Sequence, residues 1–191
     1  MLIETEETPN PNTLKFLPGQ TVMPPGMTAE WTDEAQAQDN PLASTLFSVE
    51  GVQTIFYSTN FIAITKDEAT AWQDLKVKIM SRIMDHALMG VPFYEAPATD
   101  AHKPHDDGAP NAEDDEITKQ IKALLDERVR PMVAMDGGDI TFDRFDKGIL
   151  YLKMRGACAG CPSATMTLKS GIENMMHHYV PEVLEVRQVE D

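Results

Sequence analysis

Cys158 and Cys161 share one loop, Arg155-Gly-Ala-Cys-Ala-Gly-Cys-Pro-Ser163, and the chain has no other cysteine. Two thiols at this spacing can bind a soft metal, hold part of an iron–sulfur cluster, or exchange with a disulfide. An all-cysteine zinc centre or an iron–sulfur cluster needs four thiolates, and one chain supplies two. Metal chemistry here therefore calls for a second copy of the chain, whereas dithiol exchange does not.

Pro162 suits the first position of a helix, which puts Cys161 near the cap and Cys158 one short loop earlier. Both sulfurs are thus expected at a helix amino terminus, where open N–H groups and the helix dipole favour thiolate over thiol. Gly156, Ala157, Ala159 and Gly160 add little bulk, so a large inorganic group or a partner's identical loop can come close. A thioredoxin-type oxidoreductase is disfavoured. Its CxxC usually lies in a strand-helix-strand parallel unit, whereas a hairpin is expected before this loop, and proline follows the cysteines here instead of separating them. A shared zinc ion and a shared cluster are not distinguished by a lone CxxC.

The elements that must position this loop form the last part of a 191-residue chain. An amphipathic helix is expected from Ile117 through Ile121, Leu124 and Leu125, ended or kinked at Arg130-Pro131. Asp136-Gly-Gly138 supplies a turn. Ile140–Phe142 and Leu150–Met154 alternate as strands of a hairpin through Asp146-Lys-Gly148. A helix from about Ser163 carries Leu168, Ile172, Met175 and Tyr179 on one face, and Val183–Val189 offers a last strand. The order α-β-β-α-β predicts a small α+β domain over 117–191.

Residues 99–116 contain no apolar side chain larger than alanine and carry one basic against seven acidic residues. This composition predicts a disordered acidic linker. Residues 1–98 are expected to form another small α+β domain. In it, a turn-rich Thr8–Thr13 precedes a strand at Leu14–Leu17, residues 18–40 are mostly loop, and a short helix spans Pro41–Phe47. A hairpin follows from Gln53–Tyr57 and Phe61–Thr65, and then a helix carrying Trp72, Leu75, Ile79 and Ile83, with Thr70 and Gln73 as a capping box. This domain has no cysteine and no catalytic constellation, so it reads as a recognition or regulatory module. The whole chain is therefore expected not to be an enzyme.

A net charge of −15 disfavours nucleic acid as a partner. No apolar run is long enough for a membrane helix and none resembles a leader, so no membrane partner is expected and a reducing compartment suits the free thiols. The remaining candidate ligands have plainer readings. Asp85 and His86, adjacent on a helix, point apart and make no acid/base pair, leaving His86 at the surface or a boundary. His102 and His105 fall in the linker as solvated side chains. His177 and His178 lie roughly 22 Å along the helix from its cysteine-bearing end. Met154, Met166, Met175 and Met176 are expected to pack rather than bind metal.

Taken together, Asp136-Gly-Gly-Asp-Ile140, Gly156-Ala-Cys-Ala-Gly-Cys-Pro-Ser163, Thr167–Glu173 and Tyr179-Val-Pro-Glu-Val183 resemble the NifU-like carboxy-terminal domain of Nfu iron–sulfur carrier proteins. Thr8–Phe16, Glu50-Gly-Val52, Phe61–Thr65 and Gly90-Val-Pro92 resemble the amino-terminal domain of the same family. Ala157 stands where many members have serine, and Ser163-Ala164 replaces a common serine pair. The resemblance implies a scaffold that binds a [4Fe–4S] cluster, or the [2Fe–2S] form, through Cys158 and Cys161 of each of two chains. It further implies a homodimer on cluster binding, an upstream cluster donor and apo iron–sulfur proteins as acceptors. The expected compartment is a bacterial cytoplasm, or the mitochondrial matrix for a processed eukaryotic form. A dithiol oxidoreductase or a zinc-binding dimer using the same two cysteines is the alternative.

Overall fold

The helices bury every third or fourth residue, while strands such as Thr13–Leu17 and Ile62–Lys66 bury consecutive residues and Ile149–Gly156 alternates over its first half, and together these build two separate cores. The computed structural model describes residues 2–95, 115–159 and 162–189, without the side chains at 162–165 and 167. The chain divides into two compact units, Met1–His105 and Asp106–Asp191. Of the expected linker, His102 and His105 included, all but Asp115 and Glu116 lies outside the described residues.

The first unit is a five-stranded antiparallel sheet in the order β1-β2-β5-β4-β3, formed by β1 (Glu4–Glu7), β2 (Thr13–Leu17), β3 (Ala29–Trp31), β4 (Val52–Tyr57) and β5 (Ile62–Lys66). Phe16, Ile55, Tyr57, Ile62 and Ile64 share a core with Leu42 and Leu46 of α1 (Pro41–Phe47) and Leu75, Ile79 and Ile83 of α2 (Trp72–Leu88). Each such buried side chain contributes about 1.5–3 kcal/mol relative to exposure.

Two strands escaped the sequence reading. The polar β1 acquires its partner from β2, with Lys15 Nζ 2.8 Å from Glu6 Oε2. Trp31 of β3, inside the expected loop, is buried edge-on against Tyr57 with ring centroids 4.8 Å apart. The capping box does not form. Asp67 Oδ1 accepts the Thr70 amide at 2.7 Å, and the helix begins at Trp72 with no side-chain cap. His86 is buried, contrary to expectation, because the chain beyond α2 folds back over it. Its Nε2 lies 3.0 Å from the Pro92 carbonyl oxygen and its ring packs 5.2 Å from Phe93.

In the second unit, α3 (Glu116–Leu124) starts at Asp115, whose Oδ1 accepts the Thr118 amide. The helical path does not stop at Pro131. It widens into a π turn over Leu125–Val129 and continues as α4 (Arg130–Met135). The wider turn accommodates a proline that would clash with the carbonyl four residues back in a regular helix. Next come β6 (Gly138–Asp146), β7 (Ile149–Gly156), α5 (Pro162–Tyr179) and β8 (Glu185–Val189). The expected α-β-β-α-β order holds, and both units are α+β. β6 and β7 are antiparallel around Lys147-Gly148, at φ 50° and 83°, the backbone of a two-residue hairpin turn. β8 pairs with β7 in parallel, from Ile149↔Glu185 to Lys153↔Val189. Ile121, Leu125, Val129, Val133, Ile140, Leu152, Ile172, Met176 and Val186 fill the core.

Candidate metal centre

The cysteine loop leaves the end of β7, the strand between β6 and β8. Its backbone is tied to the turn before β6: the Ala157 amide donates to the Gly137 carbonyl at 3.1 Å, and the Ala159 amide to Gly156 at 3.1 Å. Gly156 takes φ 63°, a conformation that costs other residues about 1–2 kcal/mol, and this corner swings the chain off the strand.

Cys158 is 5% exposed and packs with the second core. Gly138 makes its socket. A Cβ at Gly138 would stand 2.7 Å from Cys158 Sγ and 2.5 Å from the Arg155 carbonyl oxygen, closer than real atoms approach. Cys158 precedes α5 as expected, but it is buried rather than open to solvent. Cys161 lies outside the described residues.

The loop and α5 join β7 to β8 in a parallel strand-helix-strand unit, so the setting thought to be missing for dithiol exchange is present. A sequence reading sees the hairpin because it is local. The parallel pairing of β8 is set by the tertiary fold.

Beneath the loop lies a buried ion pair that the sequence reading missed. Arg130 donates from Nε and Nη2 to Asp139 Oδ1 and Oδ2, each at 2.9 Å, and from Nη1 to Asp126 at 3.0 Å. Burial works against the guanidinium charge, but the hydrogen bonds and charge of Asp139, then those of Asp126, outweigh it and raise the Arg130 pKa above its usual value. Asp139 also accepts the Ile140 amide at 2.8 Å. The only advance signal was Asp139 in the run Asp136–Ile140, which the sequence reading used for the family resemblance and gave no role of its own. Arg155 faces Asp139 across the β6/β7 ladder and is buried, with no hydrogen-bond partner for Nη1.

His177 and His178 sit at the far end of α5, exposed as expected, with His177 Nε2 3.1 Å from the Leu184 carbonyl oxygen. Met154 and Met176 are core residues and Met175 packs against them, but Met166 is 68% exposed. Among the described residues no three His, Cys, Asp or Glu side chains converge as a metal site, and no helix is long and apolar enough to cross a membrane. Cys158 offers the soft sulfur donor that iron–sulfur groups take, and its loop neighbours Gly156 and Ala157 carry little side-chain bulk.

Comparison with known proteins agrees with both units. A family model described as scaffold protein Nfu/NifU N terminal matches residues 3–90, and one for the NifU-like domain matches residues 121–187. A Drosophila willistoni protein named NFU1 iron-sulfur cluster scaffold homolog, mitochondrial, is 44% identical over 191 residues, covering 100% of this chain and 64% of its own length. Its Drosophila persimilis counterpart of the same name is 44% identical over 192 residues, covering 100% and 66%. The chain thus spans less than two thirds of the length of these relatives. The solution structure of a NifU-like protein from Saccharomyces cerevisiae is 28% identical with a TM-score of 0.44, covering 50% of this chain and 85% of that one.

Proposed function

Since this chain belongs to the family of Nfu-type iron–sulfur cluster scaffold proteins, we propose that it binds a [4Fe–4S] cluster between two copies of itself. Cys158 and Cys161 of each copy are the ligands, and apo iron–sulfur proteins receive the cluster. One observation carries this reading: the NifU-like unit contains the chain's only two cysteines, two residues short of a four-thiolate site. A cluster held by two thiolates from each side is released when the interface opens, which suits a carrier rather than an enzyme. The cluster is cargo, delivered by an upstream donor and passed on.

Because Cys158 is packed in the core, loading requires its loop to turn the sulfur outward. The parallel β7-α5-β8 unit keeps dithiol exchange as the second reading, with both cysteines again required. In the two-domain arrangement, residues 1–98 act in recognition or regulation and 117–191 carry the cluster. The cleft of about 360 Å³ lined by Thr8, Asn10, Pro11, Trp72 and Lys76 is a candidate contact surface on the first unit. Of the two compartments expected from the sequence, the relatives' names, which read mitochondrial, favour the mitochondrial one and give no support to a bacterial cytoplasm.

Anaerobic reconstitution with ferrous iron and sulfide, followed by native mass determination, tests the proposal. One four-iron cluster per two chains is expected, abolished by Cys158→Ser or Cys161→Ser. A monomer holding a full cluster, preferential zinc binding, or strong disulfide-reductase turnover without iron would overturn it.

A further inference from the structure

We propose that Met132, Met135 and Met166 form the apolar surface on which a second copy of the chain seats when the cluster bridges two loops. This rests on the two-chain reading of the site and says which side chains make the contact. Met132 is 47% exposed, Met135 76% and Met166 68%. All three are large apolar side chains with substantial exposed surface, while Val133, next to Met132, is fully buried.

Their positions relative to the loop single them out. Met132 and Met135 are three residues apart on α4 and so neighbour each other on its surface. Met135 is three residues from Gly138, the residue against Cys158 Sγ, so their Cα atoms lie within about 11 Å by chain geometry. The Gly137 carbonyl, two residues after Met135, accepts the Ala157 amide of the loop itself. Met166 stands four residues into α5, about 6 Å along the helix from Pro162. Tyr179 and Leu184 are also exposed, but Tyr179 lies about 20 Å farther along α5, at the opposite end of the unit from the loop.

The occupant follows from ligand count and charge. Each chain offers two thiols to a four-thiolate group, so whatever surrounds Cys158 meets the same surface of a second copy. That approach is electrostatically permitted: residues 117–191 carry ten basic and eleven acidic side chains, whereas most of the chain's −15 lies outside them. Methionine is enriched in interface cores. Its flexible thioether also packs adaptably, which suits a contact that must form and open.

The test uses the full chain, reconstituted anaerobically with ferrous iron and sulfide at matched concentrations. M132K/M135K retains helix propensity at exposed positions, so far-UV circular dichroism and melting should match wild type. Its cluster-linked dimer should weaken about tenfold or more, because each copy would desolvate lysines at the contact. M132L/M135L should restore dimer and cluster, and M166K should weaken both. If wild type gives the two-chain cluster and M132K/M135K gives it equally well, this inference falls while the proposed function stands. If wild type gives no two-chain cluster, both fall.

Discussion

Substituting Gly138 by alanine tests whether the cysteine socket is built as described. The added methyl would meet the Arg155 carbonyl oxygen at 2.5 Å, Cys158 Sγ at 2.7 Å and Cys158 Cβ at 3.1 Å. The oxygen belongs to the β6/β7 ladder, where Gly138 pairs with Gly156 and Asp139 with Arg155, and cannot retreat without opening that end of the hairpin. The sulfur can move, but only out of the core it fills. Overpacking of this kind costs about 2 kcal/mol, which lowers the melting temperature of a unit this size by about 10 °C. Both tryptophans, Trp31 and Trp72, lie in the first unit, so their fluorescence should melt unchanged while far-UV circular dichroism shows the second transition shifted. Gly171→Ala is the control. It lies in α5, a Cβ there meets nothing within 4 Å, and the change should stabilise by about 0.8 kcal/mol through helix propensity alone. Shifts of the same sign for both variants, or a Gly138→Ala protein melting within about 2 °C of wild type, would refute the socket.

Asp139→Asn takes from Arg130 the carboxylate that accepts two of its three hydrogen bonds and leaves it only Asp126, so the second unit should be destabilised by about 2 kcal/mol in urea unfolding followed by circular dichroism. Arg155→Met removes a buried donor that has no partner at Nη1 and should raise stability by about 1 kcal/mol in the same experiment; a loss would show that Arg155 makes a compensating contact. The Asp67 carboxyl is held below its usual pKa by hydrogen bonds from Thr70, chiefly from its side chain and then from its amide. A lowered folded-state pKa adds stability that is present above the ordinary carboxylate range and lost as pH falls. Wild type should therefore exceed Asp67→Asn at neutral pH, and the gap should close as pH falls through the lowered pKa of Asp67; a gap that does not shrink in acid would contradict the assignment.

Local chemistry accounts for what was legible in advance. α1 spans Pro41–Phe47, the range expected from the sequence, and Asn40 Oδ1 caps it by accepting the Ala43 amide at 2.9 Å. The β6/β7 hairpin and α5 likewise follow from alternation, from Lys147-Gly148 and from Pro162. β1 and β3 were not legible, because a polar or three-residue strand exists only through its partner. The helix through Pro131 survives by a π turn that no propensity encodes.

By itself the sequence determined the element types, the family resemblance and the two-thiol deficit that calls for a second chain, since periodicity, motif and residue count are properties of the chain as a string. Only the tertiary structure decided that Cys158 is buried against Gly138, that Arg130 and Asp139 pair beneath the loop, and that β8 runs parallel to β7. Each of these depends on which distant residues the two cores bring within a few ångströms of one another.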